Sequence, residues 1–439
     1  MMKKFLILSV AVVLSGTMLS CNSSEDETDN LNEAKKVVNM LSEAQPVELT
    51  QAQRVFANDN NHFTLHFMKT ANDAGQSGKS FIYSPLSITY VLGMVNDAAT
   101  GQTEQELEQT LGFHEGGIQA VNDYCKKLID GLPKVDNKVT LNIANALFVN
   151  HDKATLKSQY QQDMKQYYDA MAENLDFKSS SALSAINNWA SDHTNGMIPK
   201  ILDDIDANVV TYLLNAIYFK ADWASKFDQK NTKEETFATE NGNTKLPLMH
   251  QNVLINYFKN DTYSAIQMPY GNGYWKMMVM LPEEGKTTDD IIDRLDRFGF
   301  EWVEWCSTAT YYGFSPYEVD LKLPRFETVS DTNDIGIGLT GLLKNMGIRL
   351  AFDSEYAEIP NMCEKGSVYI SMMRQKAKIK VNEEGSEAAA VTVAGINFLS
   401  STGTVAYPKA VFHANHPFVY MISEASTGVI IFVGKFTGE

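Results

Sequence analysis

Apolar residues recur at helical spacing over residues 52–70 and 85–98, which predicts two helices early in the folded part of the chain. Thr103, followed three positions later by Glu106, has the spacing of a capping box and predicts the start of a third helix. From residue 139 the pattern changes. Alternating or continuous apolar runs bounded by polar turns, at 139–149, 209–219, 264–268, 276–281 and 319–323, predict strands. Helical periodicity returns at 184–191, 287–298 and 339–346, and two apolar strands at 418–422 and 429–436 close the chain. This order is neither a repeating strand-helix-strand array nor an all-strand ladder. It predicts an α+β domain with large mixed sheets.

Ahead of the domain, Lys3 and Lys4 precede an apolar run at 5–14, then small residues and Cys21, the layout of a secretory signal. The run is shorter than the ~20 apolar residues that span a bilayer. Met18-Leu19-Ser20-Cys21 resembles a relaxed bacterial lipobox, so residues 1–20 are expected to be removed and Cys21 to carry lipid. Membrane contact is expected only through that anchor. Ser24-Glu25-Asp26-Glu27 resembles the acidic export tag of surface lipoproteins and reads equally as a solvated spacer. Residues 21–46 are expected to form an acidic tether and 47–439 the domain, placed outside the cytoplasm at the outer membrane or cell surface.

With 439 residues, 44% of them hydrophobic and 21% charged, the chain has material for one large core, and no Pro/Gly/Ser-rich linker divides it. The net charge is −17, and loss of Lys3 and Lys4 makes it two charges more negative. Phosphate binding needs a clustered basic surface that this sequence lacks, so no nucleic-acid partner is expected. Cys125, Cys306 and Cys363 are odd in number and irregularly spaced, which suits packing residues better than a disulfide framework or a metal site.

Motifs for catalysis are weak. Gly336-Ile337-Gly338-Leu339-Thr340-Gly341 fits the dinucleotide pattern literally, but it follows a polar run at 329–334 that reads as a loop or helix start. His62 and His66 stand four apart, yet no Glu lies between them and no third ligand is evident. There is no Gly-x-Ser-x-Gly elbow or Walker loop, and His413 and His416 have no nucleophile nearby. No catalytic residue, metal or cofactor is expected.

The stretch 381–394 is different in kind. From Gly385 onward its side chains are mostly small, and as a strand it would place Ser386, Ala388, Ala390, Thr392 and Ala394 on one face and Glu387, Ala389, Val391 and Val393 on the other. The first face can slide beneath a packed layer without overfilling it, since none of its residues exceeds Thr in volume. Residues 395–408 are rich in Ser, Thr and Gly, as suits a loop open to proteases. On these residues alone, an ordinary edge strand or an alanine-rich helix followed by a surface loop fits as well.

Residues 382–392 reproduce the reactive-loop hinge of the inhibitory serpins, and the resemblance extends over nearly the whole domain. Phe81-Ile82-Tyr83-Ser84-Pro85-Leu86-Ser87-Ile88 is similar to the serpin helix-start motif, and Leu214-Asn215-Ala216-Ile217-Tyr218-Phe219-Lys220-Ala221-Asp222-Trp223 resembles its signature strand. Leu323-Pro324-Arg325-Phe326, Asn415-His416-Pro417-Phe418 and the ending at 427–435 are further likenesses. The resemblance implies three sheets, about eight or nine helices and an exposed reactive loop at about 383–410. It also implies a metastable monomer that acts as a suicide substrate, forms a covalent acyl-enzyme with a serine protease and inserts its loop into the central sheet. A non-inhibitory serpin acting as a binding protein, or a surface hydrolase, are the alternatives.

Residue by residue, the resemblance assigns Glu383, Glu384, Gly385, Ser386, Glu387, Ala388, Ala389, Ala390, Val391 and Thr392 to the hinge. Ser84, Ser87 and Asn215 match the shutter, where Gln375 stands in place of the usual histidine, and Trp223, Arg325 and Glu383 match the breach. Counting forward from Gly385 places the cleaved bond between Leu399 and Ser400, with the longer loop leaving Ser401, Thr402 and Tyr407 as alternatives. Leu399 beside Phe398 suits proteases with hydrophobic primary pockets.

Overall fold

In a computed structural model of the chain, which describes residues 44–307, 315–364, 368–386 and 406–438, Thr50 opens the first helix, α1 (Gln51–Ala71), through a reciprocal capping box with Gln53. After β1 (Phe81–Tyr83), Pro85 sits in the first turn of α2 (Pro85–Ala98), where its missing N–H leaves no bond unmade. Nearly every residue of α2 is buried, so this helix forms the centre of the packing. Thr103 does not cap α3 (Gly101–Leu111), which begins two residues earlier. Its hydroxyl instead accepts from the Glu358 amide at 3.0 Å, and the Glu106 carboxylate accepts from the Arg349 and Leu350 amides, each at 2.8 Å. The box spacing is used to hold a neighbouring segment.

The chain continues through α4 (Gly117–Gly131), β2 (Val139–Asn150), α5 (Ser158–Tyr168), β3 (Met171–Leu175), α6 (Ser180–His193) and β4 (Thr211–Asp222). Next come β5 (Lys233–Thr239), β6 (Gly242–Lys259), β7 (Tyr263–Pro269), β8 (Trp275–Pro282), α7 (Thr288–Ser307), β9 (Ser315–Pro324), β10 (Phe326–Asp331) and α8 (Gly338–Met346). The last strands are β11 (Met372–Val381), β12 (Gly385–Ser386), β13 (Lys409–His413), β14 (Phe418–Glu424) and β15 (Ile430–Phe436). Part of the polar run before Gly336, expected as a loop or helix start, is the end of β10, an edge strand.

Hydrogen bonding joins the described strands into two networks. The central sheet has the order β10-β11-β12-β4-β2-β3. The other runs β1-β15-β14-β8-β7-β6-β9-β13, with β5 also on β6. This second network carries two of the expected layers because β6 is 18 residues long, pairing with β5 and β9 over most of its length and with β7 at its end.

β2 and β4 are apolar on both faces because both are covered. On one side Phe219 meets Tyr270, Trp275 and Phe432, with ring centroids 5.5, 5.6 and 6.1 Å away. On the other, Phe148 and Tyr212 pack with Trp189 and Ile186 of α6 in a separate core. Lys435 of β15 is wholly buried and donates to Asn72 Oδ1 at 2.6 Å, with the Asp289 carboxylate at 3.5 Å and the Phe81 ring face at 5.4 Å. Burial pushes its pKa below the usual lysine value, against the pull of Asp289. Lys435→Ala leaves buried Asn72 without this donor, and denaturant titration should show a loss of roughly 3 kcal/mol.

Candidate functional site

The central sheet has an unusual seam. β11 runs parallel to β4 and pairs with it directly over Met372–Tyr212 to Lys376–Ala216. At the far end, among the described residues, β12 lies between them: Ser386 opposes Val381 on one side and Ala221 on the other, and Gly385 opposes Asp222. With ~4.8 Å between neighbouring strands, β4 and β11 stand about 10 Å apart there. The seam is closed at one end and wedged at the other by two residues of the predicted hinge.

The closed end is fastened by amides. Gln375 and Asn215 are cross-strand partners, and Asn145 is the next partner across β2, so three amide side chains form a row through three strands. Gln375 Oε1 accepts from the Ser84 amide at 3.0 Å, and its Nε2 lies 2.9 Å from Ser84 O, 2.9 Å from Ser87 Oγ and 3.1 Å from Asn215 Oδ1. Ser87 Oγ donates to Asn215 Oδ1 at 2.8 Å, and Asn215 Nδ2 donates to Asn145 Oδ1 at 2.9 Å. All five residues are buried. Ser84 contributes its backbone to these bonds, and Thr332 adds a hydroxyl that accepts from the Gln375 amide at 3.0 Å. A glutamine here makes the bonds of a donor and an acceptor at once and carries no titrating group.

The wedged end is a tight turn. The Asn382 amide donates to Gly385 O at 2.9 Å, and Asn382 Oδ1 accepts from the Glu384 amide at 2.9 Å. Gly385 has φ +153°, and a Cβ there would lie 2.0 Å from Ala221 O, so only glycine fits between the strands. Ser386 is fully buried and shares a 2.7 Å hydrogen bond with the Tyr270 hydroxyl, whose ring stacks on Trp223 at 4.3 Å. Trp223 Nε1 donates to Asn382 O at 2.9 Å.

Charge then pins the turn. Arg325 Nε lies 2.7 and 2.8 Å from the two Glu383 oxygens, and Thr232 donates to the same carboxylate. Burial alone would raise the Glu383 pKa, but the bonds from Arg325 and Thr232 outweigh it and hold the group below the usual glutamate value. Trp223, Arg325 and Glu383 therefore meet at one point, as do Ser84, Ser87, Asn215 and Gln375. Glu387, Ala388, Ala389, Ala390, Val391 and Thr392, the bond at Leu399 and Ser400, and Cys21 lie outside the described residues.

Sequence reading missed Asn145, Thr232 and Thr332, and marked Tyr270 only as part of the serpin-like stretch Met268-Pro269-Tyr270, without a role. Of the three missed, Asn145 alone left a signal, an amide in the apolar run 139–149 that it shares with Asn142. Elsewhere, His66 bonds Asp296 at 3.0 Å, which raises its pKa, and His413 lies 3.2 Å from Asp320. Among the described residues no group of three metal-type side chains is placed to hold an ion.

Comparison with known proteins decides the family. The model for Serpin (serine protease inhibitor) matches residues 58–438. The chain is a serpin. Antichymotrypsin-2 of Bombyx mori is 31% identical over 394 residues, covering 88% of this chain and 99% of that protein. Neuroserpin of Gallus gallus is 30% identical, covering 82% of this chain and 87% of its own length. Among solved structures, the thermophilic serpin tengpin in its native state is 26% identical with a TM-score of 0.77, over 89% of this chain and 95% of that one. Human thyroxine-binding globulin with its ligand is 25% identical with a TM-score of 0.76, over 88% and 98%. Serpins are generally protease inhibitors and not catalysts, although some, such as thyroxine-binding globulin, are non-inhibitory.

The amide fastening makes this serpin's closed seam insensitive to pH, and Gln375→His should change that. Desolvation at this buried site lowers an imidazole pKa, so the unfolded chain binds more protons and stability is lost as pH falls. Unfolding midpoints of the uncleaved protein at pH 8 and 5.5 should diverge more for Gln375→His than for wild type. The expected difference approaches about 1.4 kcal/mol, the value set by the single pH unit between 5.5 and an ordinary imidazole pKa of about 6.5.

Proposed function

We propose that this serpin is a suicide-substrate inhibitor of serine proteases, with no catalytic activity of its own. The observation that carries the reading is the seat of Gly385 and Ser386, hydrogen-bonded into the central sheet between β4 and β11. A strand extending from that seat runs antiparallel to both neighbours. The small-residue face of 386–394 suits it, with Ser386 already inward.

A protease would attack the loop at Leu399–Ser400, its serine forming the acyl-enzyme while the new amine departs. Release of the loop's far end lets the hinge side zip into the seam. Roughly ten newly paired residues at ~0.5 to 1.5 kcal/mol each supply on the order of 10 kcal/mol. That is comparable to the ~5 to 15 kcal/mol that holds a domain together, enough to distort the tethered protease before water hydrolyses the ester. Leu399 with Phe398 fits chymotrypsin-, elastase- or subtilisin-like enzymes. The lipobox-like Met18-Leu19-Ser20-Cys21 supports a lipid anchor at the cell surface, facing external proteases.

Incubation with chymotrypsin should give a complex that survives boiling in detergent. Ser386→Arg forces a long cation into the fully buried position against Tyr270, and should convert the inhibitor into a plain substrate. Electrophoresis reads both outcomes. Absence of a wild-type complex across all three protease classes would favour a non-inhibitory serpin, and a trapping Ser386→Arg variant would refute insertion.

A further inference from the structure

A second ionic grip holds the hinge turn, and it is made by residues outside the shutter and breach assignments. Lys226, just beyond β4, places its Nζ 2.9 Å from Asp222 Oδ2 and 2.7 Å from Glu384 Oε2. Its side chain is only 11% exposed, against 27% and 23% for the two carboxylates. Burial works against the ammonium, but the bonds from Glu384 and Asp222 prevail and hold its pKa above the usual lysine value, so the grip stays charged.

The position of these groups gives the grip a direction. Asp222 is the last residue of β4 and the partner of Gly385, and Glu384 is the residue immediately before Gly385. One cation thus spans the point where β12 first meets β4. Arg325 ties Glu383 to the start of β10, on the other side of the turn. Backbone bonds flank the grip, from the Trp223 amide to Glu384 O at 2.8 Å and from the Phe227 amide to Glu383 O at 3.0 Å.

Register matters here because a slip of one residue exchanges the two faces of a strand. Slipped by one, the hinge would send Glu387 toward the core side now taken by Ser386. Without Lys226, the Asp222 and Glu384 carboxylates would also face each other across the seam with no cation between them, pushing the turn off β4.

We propose that Lys226 is a positioning residue that, by gripping Glu384 and Asp222 together, fixes the register of the hinge strand on β4 and so the register in which the loop inserts. The insertion part rests on the inhibitory reading above. Insertion competes with hydrolysis of the acyl-enzyme, so a register fault diverts molecules to cleavage without trapping.

The test compares purified full-chain wild type, Lys226→Met and Lys226→Arg against chymotrypsin, reading the stoichiometry of inhibition and the acylation rate separately. Lys226→Met should raise the number of serpin molecules consumed per trapped protease about fivefold, with acylation unchanged, because the unbalanced carboxylates slow only insertion. Lys226→Arg should restore trapping, which a general loss of folding would not allow. Wild-type stoichiometry in Lys226→Met overturns the proposal while leaving the inhibitory reading intact. If wild type traps neither chymotrypsin nor an elastase- or subtilisin-like protease, the inhibitory reading falls and hydrogen exchange on the uncleaved protein judges the register. Faster exchange at the Trp223 and Phe227 amides in Lys226→Met, restored by Lys226→Arg, upholds the grip, and unchanged protection overturns it.

Discussion

Two neighbouring strands cannot be fully paired and also a strand's width apart, and this serpin holds β4 and β11 in both conditions at once. The pair is closed over five residues of β11 and wedged apart above them by Gly385 and Ser386. The rest of the structure serves that compromise. Covered faces on both sides bury β4 and most of β2, so the seam lies between two packed layers. The buried helix α2 begins at the motif that supplies Ser84 and Ser87, which joins the closed end of the seam to the centre of the core.

The two ends of the seam use different physics. The closed end is neutral and amide-rich, with hydrogen bonds in a site from which water is excluded, where each unmade bond is expensive. The wedged end is ionic. There three carboxylates, Asp222, Glu383 and Glu384, crowd one turn, and Arg325 and Lys226 each take a separate part of the load. A neutral latch breaks and re-forms without regard to salt or acidity, whereas the charged turn stays put because its partners come from three different segments of the chain.

Much of this was legible in the sequence, and the gaps have physical causes. The α+β class and the positions of α1, α2, β2, β4 and the last two strands follow from apolar periodicity, because these elements carry the core. The Thr103 and Glu106 spacing misled because tertiary bonds from Glu358, Arg349 and Leu350 claimed both side chains. The hinge, shutter and breach residues stood out through family likeness, and for Gly385, Ser386 and the shutter and breach residues the side-chain types are fixed by contacts across the fold. Thr232 and Lys226 left no mark, and Tyr270 showed only as part of a serpin-like stretch, because their importance arises only when β4, β7 and the turn after β11 converge. Local sequence around Lys226 looks like ordinary surface polarity on a short connection.

The parallel sense of β4 and β11 has a consequence for how often the molecule can act. A strand laid between them exchanges one parallel junction for two antiparallel ones, and antiparallel ladders are the more stable per residue. Nothing in such an exchange supplies the energy to run it backward. On the inhibitory reading proposed above, each copy acts once, and capacity is counted in molecules made, not in turnovers.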